Sequence, residues 1–168
     1  MQNRVAREDE ATMDTPAWAS EIRTLLASWG VCEASAHVRF DWETLDISVE
    51  GRARPEQGKG VRALWCAALI LGLMFRARNR DEPHPGFVVL DSPLTTYRSR
   101  DPEEGDEVSY EVEAAFFRSL LERGHNAAQD TQVIVFENKE PPVDVQQAAN
   151  HIRFTARAST GRSGLIRG

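Results

Sequence analysis

The sequence has 168 residues, of which 41% are hydrophobic, and this is enough for one domain with a buried core. The formal net charge of -6 and the pI near 5.3 argue against a surface that binds nucleic acid by bulk electrostatics, although a local basic strip is compatible with them. No signal-peptide pattern precedes Cys32 and Cys66, so we expect reduced thiols in a cytoplasmic protein. The longest apolar run, Leu64 to Phe75, is shorter than the ~20 residues that cross a membrane, which predicts a buried helix and no membrane partner.

The N-terminal part of the chain predicts a tail followed by a helix. Residues 1–14 are polar and show no apolar period, so we expect a disordered tail. Residues 15–30 predict an amphipathic helix that Thr15 caps, Pro16 begins and Gly30 ends. Its apolar residues recur at the spacing of a coiled-coil seam for less than two heptads, and they are Trp18, Ile22, Leu25 and Trp29. The helix is therefore either packed on the domain or the remnant of a coiled coil.

The next residues predict a β-hairpin. Apolar and polar residues alternate on both sides of a polar connection at 41–44, and the apolar ones are Val38, Phe40, Leu45, Ile47 and Val49. His37 and Trp42 fall in this hairpin, and the pattern gives neither of them a role.

A polar loop at 51–60 leads from the hairpin to a long apolar helix, predicted over 61–78. The loop ends in Gly58, Lys59 and Gly60. The first N–H groups of a helix have no intrahelical partner and lie at the positive end of its dipole, so glycines there let an anion approach the backbone. Lys59 adds a mobile cation. The loop is not a Walker A loop, which requires G-x-x-x-x-G-K followed by Ser or Thr. It is either an anion site or a flexible entrance to a buried helix.

The stretch Gly86 to Leu94, GFVVLDSPL, predicts a strand buried on both faces, because its apolar run is short and rich in β-branched residues. Asp91 ends this strand at the sheet edge where α/β folds place their ligands, and Ser92 begins the turn away from it. P-loop NTPases use an acid in this position to hold the magnesium of a bound nucleotide. Asp91 is therefore either a metal-binding residue or an ordinary turn aspartate.

A second strand is predicted further along the chain. Apolar residues at helical spacing predict a covering helix over 107–123, and Gln132 to Phe136 then predict a buried strand. Strand, helix and strand form a right-handed crossover, so the two strands should be parallel. Asp91 follows the first strand, and Glu137 and Asn138 follow the second. We therefore expect the two acids at one sheet edge, as a metal or catalytic pair or as unrelated turn acids.

The end of the chain predicts a last strand near 151–155 and a turn at 161–164. The predicted fold is α/β, with a mainly parallel sheet and covering helices over residues 31–168. The helix at 15–30 and the tail precede it.

Four stretches together resemble the C-terminal ATPase lobe of the bacterial SMC/RecN-like members of the ABC ATPase superfamily. They are the GKG loop before the apolar helix, PHPGFVVLDSPL, QVIVFENKEPP and HIRFTARASTGRSGLI. The resemblance covers about residues 38–168 and implies a P-loop NTPase lobe. It makes Asp91 the Walker B aspartate on the magnesium. It also puts Gly58, Lys59 and Gly60 at the place of the signature loop, which contacts the γ-phosphate of ATP held by a second subunit.

Two residues depart from the usual pattern of that superfamily. Ser92 stands where many members carry a catalytic glutamate, and Asn138 stands where many carry the switch histidine. The resemblance then leaves Glu137 as the residue that would orient or activate the attacking water.

The phosphate-binding Walker A loop of this family lies in an N-terminal lobe, and no such motif occurs in this sequence. We expect a fragment of a longer ATPase, a subunit completed by another polypeptide, or the product of a decayed gene. The resemblance implies ATP and Mg²⁺ as cofactors, a Walker A lobe in cis or in trans, an ATP-dependent dimer, and contact with DNA through the full assembly. The expected function is the signature and Walker B half of an ATPase in DNA repair, maintenance or defence, with hydrolysis only when the missing lobe is supplied.

Two other functions fit parts of the pattern. Asp91 with Glu137 and Lys139 imitates the D…(D/E)-x-K set of metal-dependent nucleases, in which two acids hold the metal and a lysine assists the attacking water. That set usually lies on neighbouring antiparallel strands, whereas a helix intervenes here. The other alternative is a non-catalytic module that docks on a partner ATPase, and the absence of a Walker A motif favours it.

Overall fold

The computed structural model describes residues 15–94, 105–126 and 131–155. Helices and strands alternate irregularly along this part of the chain. The helices are α1 (Thr15–Ser28), α2 (Lys59–Asn79), α3 (Gly105–Asn126) and α4 (Val143–Ala148), with a 3-10 turn at Arg54–Glu56. The strands are β1 (Val38–Asp41), β2 (Asp46–Val49), β3 (Arg52–Ala53), β4 (Phe87–Asp91) and β5 (Gln132–Phe136). The fold is therefore mixed α/β.

Helix α2 is the central element, and α1, β2 and β4 all pack against it. The seam of α1 faces this core, because Ile22, Leu25 and Trp29 are fully buried and Trp18 is 4% exposed. The predicted helix and its buried positions are confirmed, and the seam is filled by this chain itself. Gly30 ends the helix as expected, with a left-handed φ of 72°.

Close approach between α1 and α2 depends on Gly72. A Cβ added at Gly72 would lie 2.9 Å from Cγ1 of Ile22, and 3.7 Å from the backbone nitrogen of that residue. Ile22 is fully buried and cannot turn aside. Gly72 therefore sets how near the two helices can lie.

The predicted hairpin is confirmed, since β1 and β2 pair antiparallel with Val38 opposite Val49 and Phe40 opposite Ile47. Leu45 is a correction, because it lies in the turn, is 66% exposed and has a φ of 52°. The apolar alternation included Leu45, but the two-residue period does not distinguish a strand end from a turn. The predicted polar loop at 51–60 also contains β3, which pairs antiparallel with β2.

The short segment after β3 anchors this sheet through an ion pair. Arg54 Nε donates to both carboxylate oxygens of Asp46, at 2.8 and 3.0 Å, and the N–H of Ile47 donates to Oδ1 at 2.8 Å. Burial raises the pKa of Asp46, but the hydrogen bonds from Arg54 and Ile47 outweigh it, and the pKa lies below its ordinary value. The folded state therefore favours the Asp46 carboxylate in its charged form.

Strands β4 and β5 are parallel, as predicted, with Phe87 opposite Gln132 and Asp91 opposite Phe136. The expectation that β4 is buried on both faces is wrong. Val88 and Leu90 are each 5% exposed, whereas Phe87 and Val89 are 52% and 47% exposed. An unbroken apolar run predicts cover on both faces, but the described elements cover only the face that packs towards α2.

The predicted mainly parallel sheet is also corrected, because three of the five described strands form the antiparallel sheet β1-β2-β3. The predicted strand near 151–155 contains a single bridge residue, Phe154. The short helix α4 follows Pro142 and was not predicted. The expected tail at 1–14 and the turn at 161–164 lie outside the described residues.

Helix α3 packs against helix α1 as well as against strand β5. Phe116 is fully buried, with its ring centroid 4.9 Å from that of Trp29 in an edge-on arrangement. The indole Nε1 of Trp29 donates to Oγ of Ser119 at 3.1 Å, so a buried polar atom is satisfied across the α1–α3 contact.

Helix α2 has the length and composition of a membrane-spanning helix. However, 61% of its apolar window is buried within the fold. That degree of internal burial is typical of the core helix of a soluble protein, in agreement with the buried helix expected from the sequence.

We expect Gly72→Ala to lower the free energy of unfolding by about 1 kcal/mol or more, because overpacking at Ile22 outweighs the better helix propensity of alanine. Gly124→Ala is the matched control. A Cβ at Gly124 in α3 meets no atom within 4 Å, so this change should stabilise the chain by a few tenths to about 1 kcal/mol. Urea denaturation measures both. Equal stabilisation by the two variants would contradict the close helix contact.

A second prediction concerns acid stability. Because the pKa of Asp46 is lower in the folded chain than in the unfolded one, its contribution is present above the unfolded value and is lost as pH falls through the folded value. Asp46→Asn should therefore cost on the order of 1 kcal/mol at neutral pH and progressively less below about pH 4. Urea titrations across this range measure the difference. A cost that does not change with pH would show that the charge of Asp46 has no part in it.

Candidate functional site

The carboxyl ends of β4 and β5 bring the two predicted acids to one edge. Asp91 is the last residue of β4 and lies opposite Phe136, and Glu137 follows directly. The N–H of Ser92 donates to the carbonyl oxygen of Phe136 at 2.7 Å, which extends the pairing one residue beyond the strand. The predicted shared edge is therefore confirmed.

Asp91 is exposed and lies on the same face of β4 as Phe87 and Val89. Its Oδ1 accepts a hydrogen bond from Oγ of Ser92 at 2.9 Å. Ser92 has a φ of 52°, a left-handed conformation that is uncommon for a residue with a Cβ. This turn fixes the Ser92 hydroxyl beside the carboxylate and leaves Oδ2 of Asp91 accessible to a ligand or to water.

The carboxylate of Glu137 connects the two turns that follow the strands. Its Oε2 accepts the N–H of Leu94 at 2.7 Å, and its Oε1 accepts the N–H of Asn138 at 2.8 Å. Leu94 is fully buried, so the first of these bonds holds the end of the GFVVLDSPL stretch in the core. Glu137 therefore has a positioning role that its place in the sequence did not indicate.

The side chain of Lys139 contacts α3. Its Nζ forms an ion pair with Glu113. This contact gives Lys139 a structural partner and lends no support to the nuclease arrangement, in which the lysine assists water at the metal. Asn138 is exposed beside Glu137.

The GKG residues form the beginning of α2. Gly58 is the N-cap residue, with a φ of -61°, and no side chain caps the helix there. Arg62 donates the first intrahelical hydrogen bond, to the carbonyl oxygen of Gly58 at 3.0 Å. The first N–H groups of the helix thus have no intrahelical acceptor. Gly58 and Lys59 are exposed, whereas Gly60 is buried, so only the first part of the GKG segment is open to a ligand. A Cβ at Gly58 would meet no atom within 4 Å, so the approach to this residue is open.

A cavity of about 680 Å³ lies beside the GKG residues, because Gln57 and Val61, which flank them, form part of its wall. Arg52, Cys32 and Trp65 also line it. Burial raises the pKa of the Cys32 thiol, although Arg23 lowers it in part, so the thiol is not activated as a nucleophile. The wall also includes the acids Glu33 and Glu50. The GKG segment therefore lies at the border of a concave surface that carries both acidic and basic side chains.

A second concave site was missed by the sequence analysis. A groove of about 440 Å³ runs between α1 and β1, and we call it the α1–β1 groove. Residues Ala19, Ser20 and Arg23 of α1 line one side, and Val38, Arg39 and Phe40 of β1 line the other. Pro16, His37 and Trp42 complete its wall. The basic residues are far apart in the sequence and only folding brings them together.

Of the two cofactors that the resemblance implies, Mg²⁺ is the one that the side chains present fit. Mg²⁺ in nucleotide sites needs only one or two carboxylates, with phosphates and waters supplying the rest, and exposed Asp91 can be such a ligand. In the described parts of the chain, no group of three or more His, Cys, Asp or Glu side chains could hold a metal without a nucleotide. For ATP itself, the GKG residues offer contacts to a phosphate end, and the Walker A cradle is not in the sequence.

The sequence was also compared with known proteins. A scan against protein-family models finds no match, and a search of the curated proteins finds none either. The assignment of this site therefore depends on its own geometry and on the motifs described above.

The geometry predicts different roles for the two acids in stability. Glu137→Ala should lower the free energy of unfolding by about 1–3 kcal/mol, because it leaves the Leu94 N–H without its acceptor. Asp91→Ala should change it by less than about 0.5 kcal/mol, since the side chain is exposed. Thermal and urea denaturation of both variants measure this difference. If the two variants are equally stable, Glu137 does not hold the turns together.

Proposed function

We propose that this chain is the signature and Walker B half of an SMC/RecN-like ATPase of the ABC superfamily. In the complete enzyme, Asp91 binds Mg²⁺ through water, and the start of α2 at Gly58 to Gly60 contacts the γ-phosphate of ATP held by a second subunit. These roles follow the general requirements of phosphoryl transfer, in which charge neutralisation and positioning do most of the work. The expected setting is DNA repair, maintenance or defence, in the cytoplasm.

In the described part of the chain the outer face of the β4–β5 sheet is uncovered, and this observation supports the proposal most. Parallel sheets occur almost only with both faces covered, and two strands alone make a marginal sheet. Here Phe87, Val89 and Phe136 on the outer face are 52%, 47% and 39% exposed. A further layer of structure is needed there, and a Walker A lobe would supply both this cover and the phosphate cradle.

The order of elements also supports the proposal. The chain runs from the GKG segment through α2 to β4, then through the α3 crossover to β5. Asp91 and Glu137 end the two parallel strands at the same edge. The hydrogen bonds that Glu137 accepts from Leu94 and Asn138 compete with a catalytic water. We therefore assign Glu137 first to holding the turn that carries Asp91 and Ser92, and only second to orienting the attacking water.

The proposal predicts that the chain alone does not bind Mg-ATP with micromolar affinity, because the triphosphate would lack most of its cationic and N–H partners. The chain combined with the Walker A lobe of its own ATPase, as a fused segment or a separate subunit, should bind and hydrolyse Mg-ATP. Asp91→Ala should weaken the magnesium-dependent part of that binding. Titration calorimetry measures binding, and phosphate release measures turnover.

Gly58 allows a sharper test of the γ-phosphate contact. Gly58→Asp and Gly58→Asn have nearly the same shape, and both residues are good N-caps, so both variants should fold. Aspartate places a negative charge against the phosphate, whereas asparagine does not. We expect Gly58→Asp to abolish ATP-dependent dimerisation and turnover and Gly58→Asn to reduce them much less, with Mg-ATP binding to the cradle kept in both. Size-exclusion chromatography with ATP measures dimerisation. Parent-like dimerisation and turnover in Gly58→Asp would remove the GKG residues from the active site.

A further inference from the structure

The α1–β1 groove lies against a strand whose outer edge is free. In the described part of the chain the antiparallel sheet has the order β1-β2-β3, so β1 has a neighbour on one side only. The N–H of Glu50 donates to the carbonyl oxygen of His37 at 2.9 Å, which makes His37 and Glu50 a hydrogen-bonded pair. Bonded and non-bonded pairs alternate along an antiparallel ladder. The backbone N–H and C=O groups of Val38 and Phe40 therefore point away from β2 and towards the groove.

The side chains of the groove are cationic and aromatic. Arg23 donates to the neutral Oγ of Ser20 at 3.0 Å, and within the described residues neither Arg23 nor Arg39 forms an ion pair. The Glu50 carboxylate accepts the backbone N–H of His37. No acidic residue occurs among the described residues that line the groove. Two guanidinium groups are therefore available to an acidic ligand, on a chain whose overall charge is negative.

The floor of the groove is a row of aromatic rings. The ring centroids of Trp18 and Phe40 are 4.4 Å apart, and those of Phe40 and Trp42 are 4.9 Å apart in an edge-on arrangement. Trp18 is buried, whereas Phe40 and Trp42 are half-buried and line the groove. Their exposed parts offer an apolar contact surface within the groove.

We propose that the α1–β1 groove binds an extended, acidic segment of a partner protein, which adds to the free edge of β1 as a fourth strand of that sheet. Addition of a strand to an open sheet edge beside a helix is a general mode of peptide recognition, in which the main chain supplies affinity and alternate side chains supply specificity. Acidic side chains of the segment bind Arg23 and Arg39, and apolar side chains between them contact Phe40 and Trp42. This proposal depends only on the groove and is independent of the ATPase role.

The test uses the full chain and a fluorescein-labelled peptide of about six residues, the usual length of a strand, with alternating aspartate and valine. Fluorescence polarisation should show salt-sensitive binding of this peptide. Replacing the aspartates by lysine should abolish it, because the cations of the groove repel the lysines. Replacing the central valine by proline should also abolish it, because proline removes an N–H donor of the added strand.

Variants of the chain locate the peptide. Arg23→Ala and Arg39→Ala should each weaken binding by about five- to tenfold, since each removes a charge-assisted hydrogen bond. Arg52→Ala is the matched control, because Arg52 is exposed on β3 at the opposite edge of the same sheet, and it should have no effect. All three side chains reach solvent, and a thermal melt of each variant checks its folding. In amide NMR spectra the peptide should shift the signals of Val38 and Phe40 more than that of Ser48, a β2 residue whose amide faces β1 inside the sheet.

Three results would overturn the proposal. Equal effects of Arg39→Ala and Arg52→Ala would show that the peptide responds only to net charge. Tighter binding of an oligodeoxythymidylate, with displacement of the peptide, would assign the groove to single-stranded nucleic acid. A gain of about tenfold in peptide affinity after deletion of residues 1–14 would assign it to the acidic N-terminal segment of this chain.

Discussion

The contact between α1 and α2 is the constraint on which the rest of the structure depends. Without a side chain at Gly72, α2 approaches α1 closely enough for the indole and aliphatic side chains of α1 to fill the core. Both sheets then attach to this pair. The antiparallel sheet packs against α1 and α2, and β4 packs on α2 from another side. Helix α2 thus sets the positions of both the GKG segment and Asp91. It begins at the GKG segment, and a loop connects its end to β4, which carries Asp91.

The candidate catalytic edge is held by hydrogen bonds more than by apolar packing. Glu137 accepts N–H groups from both turns, and the Ser92 N–H bonds the end of β5. These bonds keep Asp91 at the sheet edge with one carboxylate oxygen oriented by Ser92. Such an arrangement differs from a closed metal centre with its own complete ligand set, and it is compatible with our proposal that a metal arrives together with a nucleotide. The site therefore makes chemical sense as one half of a composite centre.

Much of this fold could be predicted from local periodicity. The helices α1, α2 and α3, the hairpin and the parallel pair β4–β5 all follow from apolar spacing and from the crossover rule. The exposure of Val89 could not be predicted, because an apolar run carries no information on which elements of the chain are present to cover it. Leu45 shows a related limit of apolar patterns. It lies in the turn with a positive φ, yet its place in the sequence continues the apolar alternation of the strand that follows.

Most features of the site that could not be predicted from the sequence are contacts between residues far apart in the chain. The shared sheet edge was predictable because topology alone brings Asp91 and Glu137 together. The bond from Leu94 to Glu137, the ion pair of Lys139 with Glu113 and the arginines of the α1–β1 groove depend on side-chain directions that no pattern encodes. His37 and Trp42 are examples, because each is unremarkable in the hairpin and gains significance only beside α1.

The parallel pairing of β4 with β5 has a consequence for synthesis of the chain on the ribosome. β4 leaves the ribosome well before β5, because α3 and its connections separate them. At normal translation rates this delay is on the order of seconds. During that time Val88 and Leu90 can pack on α2, which is already complete, but the edge of β4 that pairs with β5 still lacks its hydrogen bonds. Nascent chains on neighbouring ribosomes of one message can pair through this edge until β5 occupies it, so the interval before β5 emerges is the stage of synthesis at which the chain is most exposed to aggregation.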